Sequence, residues 1–205
     1  LELRSYCKLF SKALKPLPCW TLFPHPNYST LNGLLGRFDE VSSSGSTNVP
    51  KVLLIDNGTH DEGGEYVNIN IPISIIGESR EHCVVMGGLQ MNGKKEDDVN
   101  VSNLTLRDSK SHGVCGLDGA SMHLDNVSVE NSGDCGVIVS GSKRNTMKNC
   151  NVSHSKGSGL RVGVRGLMTI DGNGTTIHHN CTGGYSGDYG LETSGSSSPG
   201  SSSSI

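Results

Sequence analysis

From Val101 to Ile170 the apolar and polar positions of the chain recur in three copies set head to tail. Adding 23 to each position carries Asn103 to Asn126 to Asn149, Leu104 to Val127 to Cys150, and Leu106 to Val129 to Val152. Ser109, Ser132 and Ser155 stand in the same register, as do Gly113, Gly136 and Gly159, then Val114, Val137 and Leu160, and the column Val101, Leu124, Met147 and Ile170. Within a copy the apolar residues alternate, as in Leu124, Val127 and Val129 followed by Val137 and Val139. That is the side-chain period of a strand, which excludes a helical repeat. No copy holds enough apolar side chains to bury a face alone, so the copies must stack. Stacking in register at about 4.8 Å turns apolar columns inward and polar columns outward. The pattern therefore predicts an all-β solenoid, a parallel β-helix of about six coils of roughly 23 residues.

Two polar columns mark the corners. Asn103, Asn126 and Asn149 are expected to form a side-chain ladder, because Asn tolerates unusual backbone angles and its amide can bond the next copy. The glycines before Val114, Val137 and Leu160 are expected to turn a second corner. Upstream, Ser29 or Thr30 can cap a helix whose apolar face is Leu31, Leu34, Leu35, Phe38 and Val41. A stack of coils exposes an apolar cross-section and open strand edges at its first coil, and this helix is expected to cover them. After Ile170 the period slips: the next Gly-Leu pair, Gly190 and Leu191, follows Gly159 and Leu160 by 31 residues, so residues 180–188 are expected to bulge as a loop. The tail "SGSSSPGSSSSI" is low-complexity and reads as disordered. The expected organisation is an N-terminal α-helical segment over 1–28, a capping helix and linker over 29–49, the β-helix over 50–193 and the tail over 194–205.

The repeat columns, with "KVLLIDNGTHDEGGEYVNINIPISIIG" before them, resemble the right-handed parallel β-helix repeats of the pectin-lyase-like superfamily. The stretch "LELRSYCKLFSKALKPLPCW" resembles the C-terminal half of an F-box, in which a Leu-x-x-x-Cys-Lys-x-Phe/Trp helix is followed by a Trp. The matching positions are Leu3, Cys7, Lys8, Phe10 and Trp20; the proline-bearing first helix of that motif is absent. This resemblance implies binding to a cullin adaptor by the full-length parent, with the β-helix selecting substrates for a ubiquitin ligase.

Composition narrows the function. A formal net charge of −3 argues against nucleic acid, since phosphate binding needs a basic face. No apolar run is long enough to span a membrane. The chain starts at Leu1 with no signal peptide, which predicts a piece of a longer protein. Seven cysteines with no CxxC predict neither a complete disulfide framework nor a zinc site, and favour an intracellular location, cytoplasm or nucleus. Against this, Asn27, Asn57, Asn100, Asn103, Asn126, Asn151, Asn173 and Asn180 begin Asn-x-Ser/Thr triplets that would accept glycans in a secreted chain.

Catalysis is the less favoured reading. Asp108, Asn131 and His154 form one outward column beside Arg107, Glu130 and Ser153, a polar stripe without a converging carboxylate pair. The Asn-Thr-Asp, Asp-Asp, Gly-His-Gly and Arg-x-Lys signatures of polygalacturonases are not found together; "NTM", "SHG" and "RVG" are partial look-alikes. Tyr66, Tyr185 and Tyr189 are the only aromatic surfaces for sugar stacking in the β-helix. His178 and His179 are adjacent and, in a strand, would point to opposite faces, unable to chelate one metal. The expected role is a non-catalytic interaction module without cofactor or metal. Leu3, Cys7, Phe10, Trp20, Asp108, Asn131 and His154 are the candidate contacts to a protein partner. The alternative is a carbohydrate-active lyase or hydrolase-like β-helix.

Overall fold

Stacking of equivalent positions organises the described residues. A computed structural model describes residues 19–46, 48–142 and 144–194. Leu3, Cys7, Phe10 and the Ser/Gly tail beyond Ser194 lie outside the described residues. The chain winds as a right-handed parallel β-helix with three faces. The first face stacks β1 (Trp20–Phe23), β2 (Val52–Ile55), β4 (Ile73–Gly77), the leading halves of β6 (Asp98–Arg107) and β8 (Ser121–Glu130), β10 (Asn145–Lys148) and β13 (Met168–Asp171). The second stacks the leading halves of β3 (Gly58–Ile69) and β5 (Cys83–Met91), the trailing halves of β6 and β8, then β11 (Asn151–Ser153) and β14 (Thr176–His178). The third stacks the trailing halves of β3 and β5, then β7 (Val114–Leu117), β9 (Val137–Ser140), β12 (Leu160–Val162) and β15 (Leu191–Thr193).

The repeat columns are columns in space. Leu104 pairs with Val127, and Val101 with Leu124, which pairs with Met147. Leu104, Val127 and Cys150 are all at most 1 % exposed, and the core runs through all three faces of the coil. Cys150 therefore serves as a small apolar side chain. The 23-residue spacing does not extend throughout. Val84 pairs with Thr105, Leu89 with Val114 and Asn151 with Thr176, so shorter and longer coils keep register by changing length at the corners. The expected 31-residue step is present, Leu160 pairing with Leu191 around the exposed loop before it.

Corner chemistry follows two different rules. Asn103, Asn126 and Asn149 have left-handed backbones, φ 55°, 55° and 51°, a region Asn enters more readily than other side chains. The Asn126 amide donates to Asn103 Oδ1 at 2.9 Å. The glycine column stands at the expected second corner, at the bends before β7, β9 and β12, but its backbone is not left-handed. Gly113, Gly136 and Gly159 are absent from the left-handed positions; they are small because the next coil sits against them. A Cβ on Gly136 would lie 2.3 Å from Val152 Cγ1 and 2.7 Å from Gly159 O.

The cap forms as the spacing predicts. Helix α1 (Leu31–Ser43) buries Leu31, Leu34, Leu35 and Phe38, while Val41 is only half-buried. Thr30 is the N-cap, its hydroxyl accepting from Gly33 N at 3.1 Å. A second acceptor comes from the sheet: Glu62 takes the Leu31 and Asn32 amides at 2.6 and 3.2 Å. Burial is the dominant influence on that carboxyl and pushes it above its usual range, against these two hydrogen bonds. The helix in turn covers the open edge of β3, since Asn32 Oδ1 accepts from Asn68 N (2.9 Å) and Asp39 Oδ2 from the Asn70 amide (2.8 Å). Gly36 is exposed with nothing within 4 Å of where a Cβ would stand. Gly36→Ala is expected to raise stability by about 0.5–1 kcal/mol, read as a higher urea midpoint.

Of the segment assigned to 1–28, the residues expected to be helical lie outside the described ones, and the described part carries a strand. Trp20 begins strand β1, with Trp20 opposite Val52 and Phe23 opposite Ile55. The edge of β2 offers a ready template for one more parallel strand, and Trp-Thr-Leu-Phe, rich in β-branched and aromatic residues, takes it.

Candidate functional site

The second face carries outward polar side chains that bond to one another from coil to coil. Arg107 grips Glu130 through Nε (3.0 Å) and Nη2 (2.8 Å), both on Oε2. Ser128 donates to the other oxygen, Oε1, at 2.8 Å. One coil on, the Asn151 amide donates to Ser128 Oγ (3.1 Å), and Thr176 Oγ1 donates to Asn151 Oδ1 (2.9 Å). Arg80 closes one side, its guanidinium donating to Asn149 O at 3.2 Å. Together with Glu81, Thr105 and Gly174 these residues line a groove of about 370 Å³.

Asp108, Asn131 and His154 stand at the corner that follows the strands of this face. All three are exposed and left-handed, φ 56°, 55° and 58°. The Asn131 amide donates to Asp108 Oδ1 at 3.2 Å. The column continues beyond the three residues that the 23-residue spacing identifies. His179, φ 52°, stacks flat on His154 with centroids 5.4 Å apart and ring planes 6° apart. The extra two residues between Asn151 and Thr176 hid this position from the spacing.

His178 and His179 do not point to opposite faces. The left-handed turn at His179 breaks the strand alternation, and the two Nδ1 atoms come within 2.6 Å. His178 Nε2 lies 2.9 Å from Asn151 Oδ1. With Nε2 of a neutral His178 donating there, its Nδ1 is the acceptor and His179 carries its proton on Nδ1. The corner thus joins the polar ladder of the groove through Asn151.

Chemically, this face holds a fixed set of donors and acceptors. Glu130 has one oxygen on Arg107 and the other on Ser128, which leaves it poorly placed to exchange a proton with a substrate. The aromatic candidates lie elsewhere: Tyr66 is half-buried with its hydroxyl accepting from His112 N (3.0 Å), and Tyr185 and Tyr189 stand exposed in the loop before β15. The polygalacturonase look-alikes are scattered, Asn145–Met147 on the first face and the triplets around His112 and Arg161 on the third. Trp20 is half-buried in β1, far along the stack from this corner in strand order.

Sequence reasoning missed a second cluster. His112, Asp134 and Cys135 meet at a corner of the third face. Burial pushes the Cys135 thiol up to about 12 and lowers His112 from its ordinary value. The available signal was the spacing itself, since His112 and Cys135 stand one repeat apart.

No curated protein and no solved structure matches this chain. Residues 86–204 match the family model described as a right handed beta helix region. That stretch covers the trailing end of β5 and every coil after it, and with the three stacked faces it places this chain in the right-handed β-helix family.

Proposed function

We propose that the second face and its histidine-bearing corner form a non-catalytic recognition surface for a protein partner. The observation that carries this reading is the continuous ladder Arg107–Glu130–Ser128–Asn151–Thr176. Side chains already held in one arrangement lose little freedom on binding, which favours recognition. The same ladder ties up the one carboxylate at its centre, which disfavours acid–base chemistry. A solenoid suits this role because outward columns vary without disturbing the inward ones. The F-box-like residues Leu3, Cys7, Phe10 and Trp20 support a finer reading, in which the full-length parent docks on a cullin adaptor inside the cell and this face selects the ubiquitination substrate.

The test uses the full-length protein. Association with the cullin adaptor is expected to survive Arg107→Ala and Asn131→Lys, while capture of the substrate protein is expected to fall by about 2 kcal/mol or more with Arg107→Ala, which also strands Glu130. Absence of adaptor association overturns the ligase reading. Incubation with acidic polysaccharides is expected to give neither unsaturated-product absorbance nor new reducing ends; either signal, lost on replacing Asp108 or His154, would establish the carbohydrate-active alternative instead.

A further inference from the structure

The third face brings together a thiol, an imidazole and a carboxylate that its neighbours do not fully occupy. His112 lies at the corner before β7, and Asp134 and Cys135 lie at the equivalent corner before β9. Register sets one corner on the other: Cys135 N donates to His112 Nδ1 at 3.2 Å, and Asp134 N to Ser111 O at 3.0 Å. His112 Nδ1 is 3.8 Å from Asp134 Oδ2, and Cys135 Sγ is 3.5 Å from Asp134 Oδ1. One ligand atom from each residue fits within a span of 4.8 Å.

These separations can be compared with what a tetrahedral ion requires. Bonds of about 2.0–2.1 Å to nitrogen and oxygen and about 2.3 Å to sulfur give ligand-to-ligand edges of about 3.4 Å for the nitrogen–oxygen pair and about 3.6 Å for the sulfur–oxygen pair. The His112–Asp134 and Cys135–Asp134 separations, which end on different Asp134 oxygens, come within about half an ångström of those edges, and the three ligand atoms taken together span up to 4.8 Å, so closing on an ion draws the side chains inward by about 1 Å. Thiolate, imidazole and carboxylate together are the donor set of a borderline-soft divalent ion.

The surrounding charge favours a cation. The Arg161 guanidinium is the nearby positive group, and it is held by Glu192 (Nε to Oε2, 2.7 Å) and Asp188 (Nη2 to Oδ1, 3.2 Å). The other Asp188 oxygen is buried with no hydrogen-bond partner among the described residues. Two carboxylates therefore hold the one guanidinium, and Asp134 adds a third negative group in its neighbourhood. Asp134 is half-exposed and provides the way in, whereas Cys135 is fully buried.

We infer that His112, Asp134 and Cys135 form a zinc-binding site that ties two successive coils together, with its fourth position open to solvent beside Asp134. On binding, the Cys135 thiol proton leaves to solvent, and the His112 Nδ1 lone pair turns from the Cys135 amide to the ion. No CxxC spacing is needed, because the stack supplies the proximity that a short loop provides elsewhere.

The full chain is titrated with Zn²⁺ alone, and with Co²⁺ as a spectroscopic probe. One tightly bound equivalent is expected, with a thiolate-to-cobalt charge-transfer band and a thermal midpoint raised by zinc. Asp134→Asn and His112→Gln are each expected to weaken binding by at least about tenfold, and Cys135→Ser to abolish the band. Asp134→Asn alters a half-exposed side chain, and an unchanged circular-dichroism spectrum checks that its fold is intact. A variant with Cys7, Cys19 and Cys181 all replaced by Ser is expected to bind as the parent does. The inference is overturned by absence of binding, by unchanged binding in Asp134→Asn and His112→Gln, or by loss of binding in the triple Ser variant.

Discussion

Replacing Leu124 with aspartate is expected to prevent cooperative folding. Leu124 is 1 % exposed and sits in the middle of the column Val101, Leu124, Met147, with an apolar side chain above and below it. A carboxylate there has no partner, and an unpaired buried charge costs several kcal/mol. That is comparable with the whole stability of a domain, about 5–15 kcal/mol. The location makes it worse, because each coil touches only its neighbours and a defect in a central coil separates the two ends of the stack. Leu124→Ala is the milder counterpart, expected to remain folded at a cost of about 2–5 kcal/mol. Circular dichroism and urea unfolding distinguish the two. An aspartate variant with the parent midpoint would mean that this column faces water.

Gly136→Ala is expected to destabilise the stack by adding a single carbon. The new methyl would meet Val152 Cγ1 at 2.3 Å, Gly159 O at 2.7 Å and Ser155 Oγ at 2.9 Å. Valine can adjust, but the Gly159 carbonyl belongs to the backbone of the next coil, and Gly136 is bonded to that region through Val137 N to Gly159 O at 2.9 Å. Relief requires the coils to separate locally. Overpacking of this kind costs about 1–3 kcal/mol, the opposite sign from Gly36→Ala in the cap. Parallel urea titrations of the two variants should bracket the parent protein; midpoints in the reverse order would show that the coils are less closely stacked at this corner.

The repeat made the solenoid legible because one spacing governs both the inward and the corner residues of the central coils. Leu104, Val127 and Cys150 could be assigned to the interior and Asn103 and Asn126 to a ladder before any coordinates. The cap was legible for a different reason, since Leu31, Leu34, Leu35 and Phe38 follow helical spacing and Thr30 provides the start signal. What escaped notice depends on contacts between coils of unequal length. His179 joins the Asp108 column only through a two-residue insertion. The glycine column marks a corner in the sequence and in the structure, but the approach of the neighbouring coil that keeps it small has no local sign. Glu62, which closes the helix N-terminus from β3, has no local mark of that role. The His112, Asp134 and Cys135 cluster went unread because metal motifs are sought within one loop, and these ligands come from two.

The unequal coils have a practical consequence for altering the protein. Leu160 still meets Leu191 although the intervening chain is longer than in the preceding coil, so extra length is absorbed at a vertex without being transmitted along the axis. The exposed stretch from Thr182 to Gly187 is therefore a natural place to graft a foreign peptide, displayed on a rigid base whose remaining rungs would not register its presence.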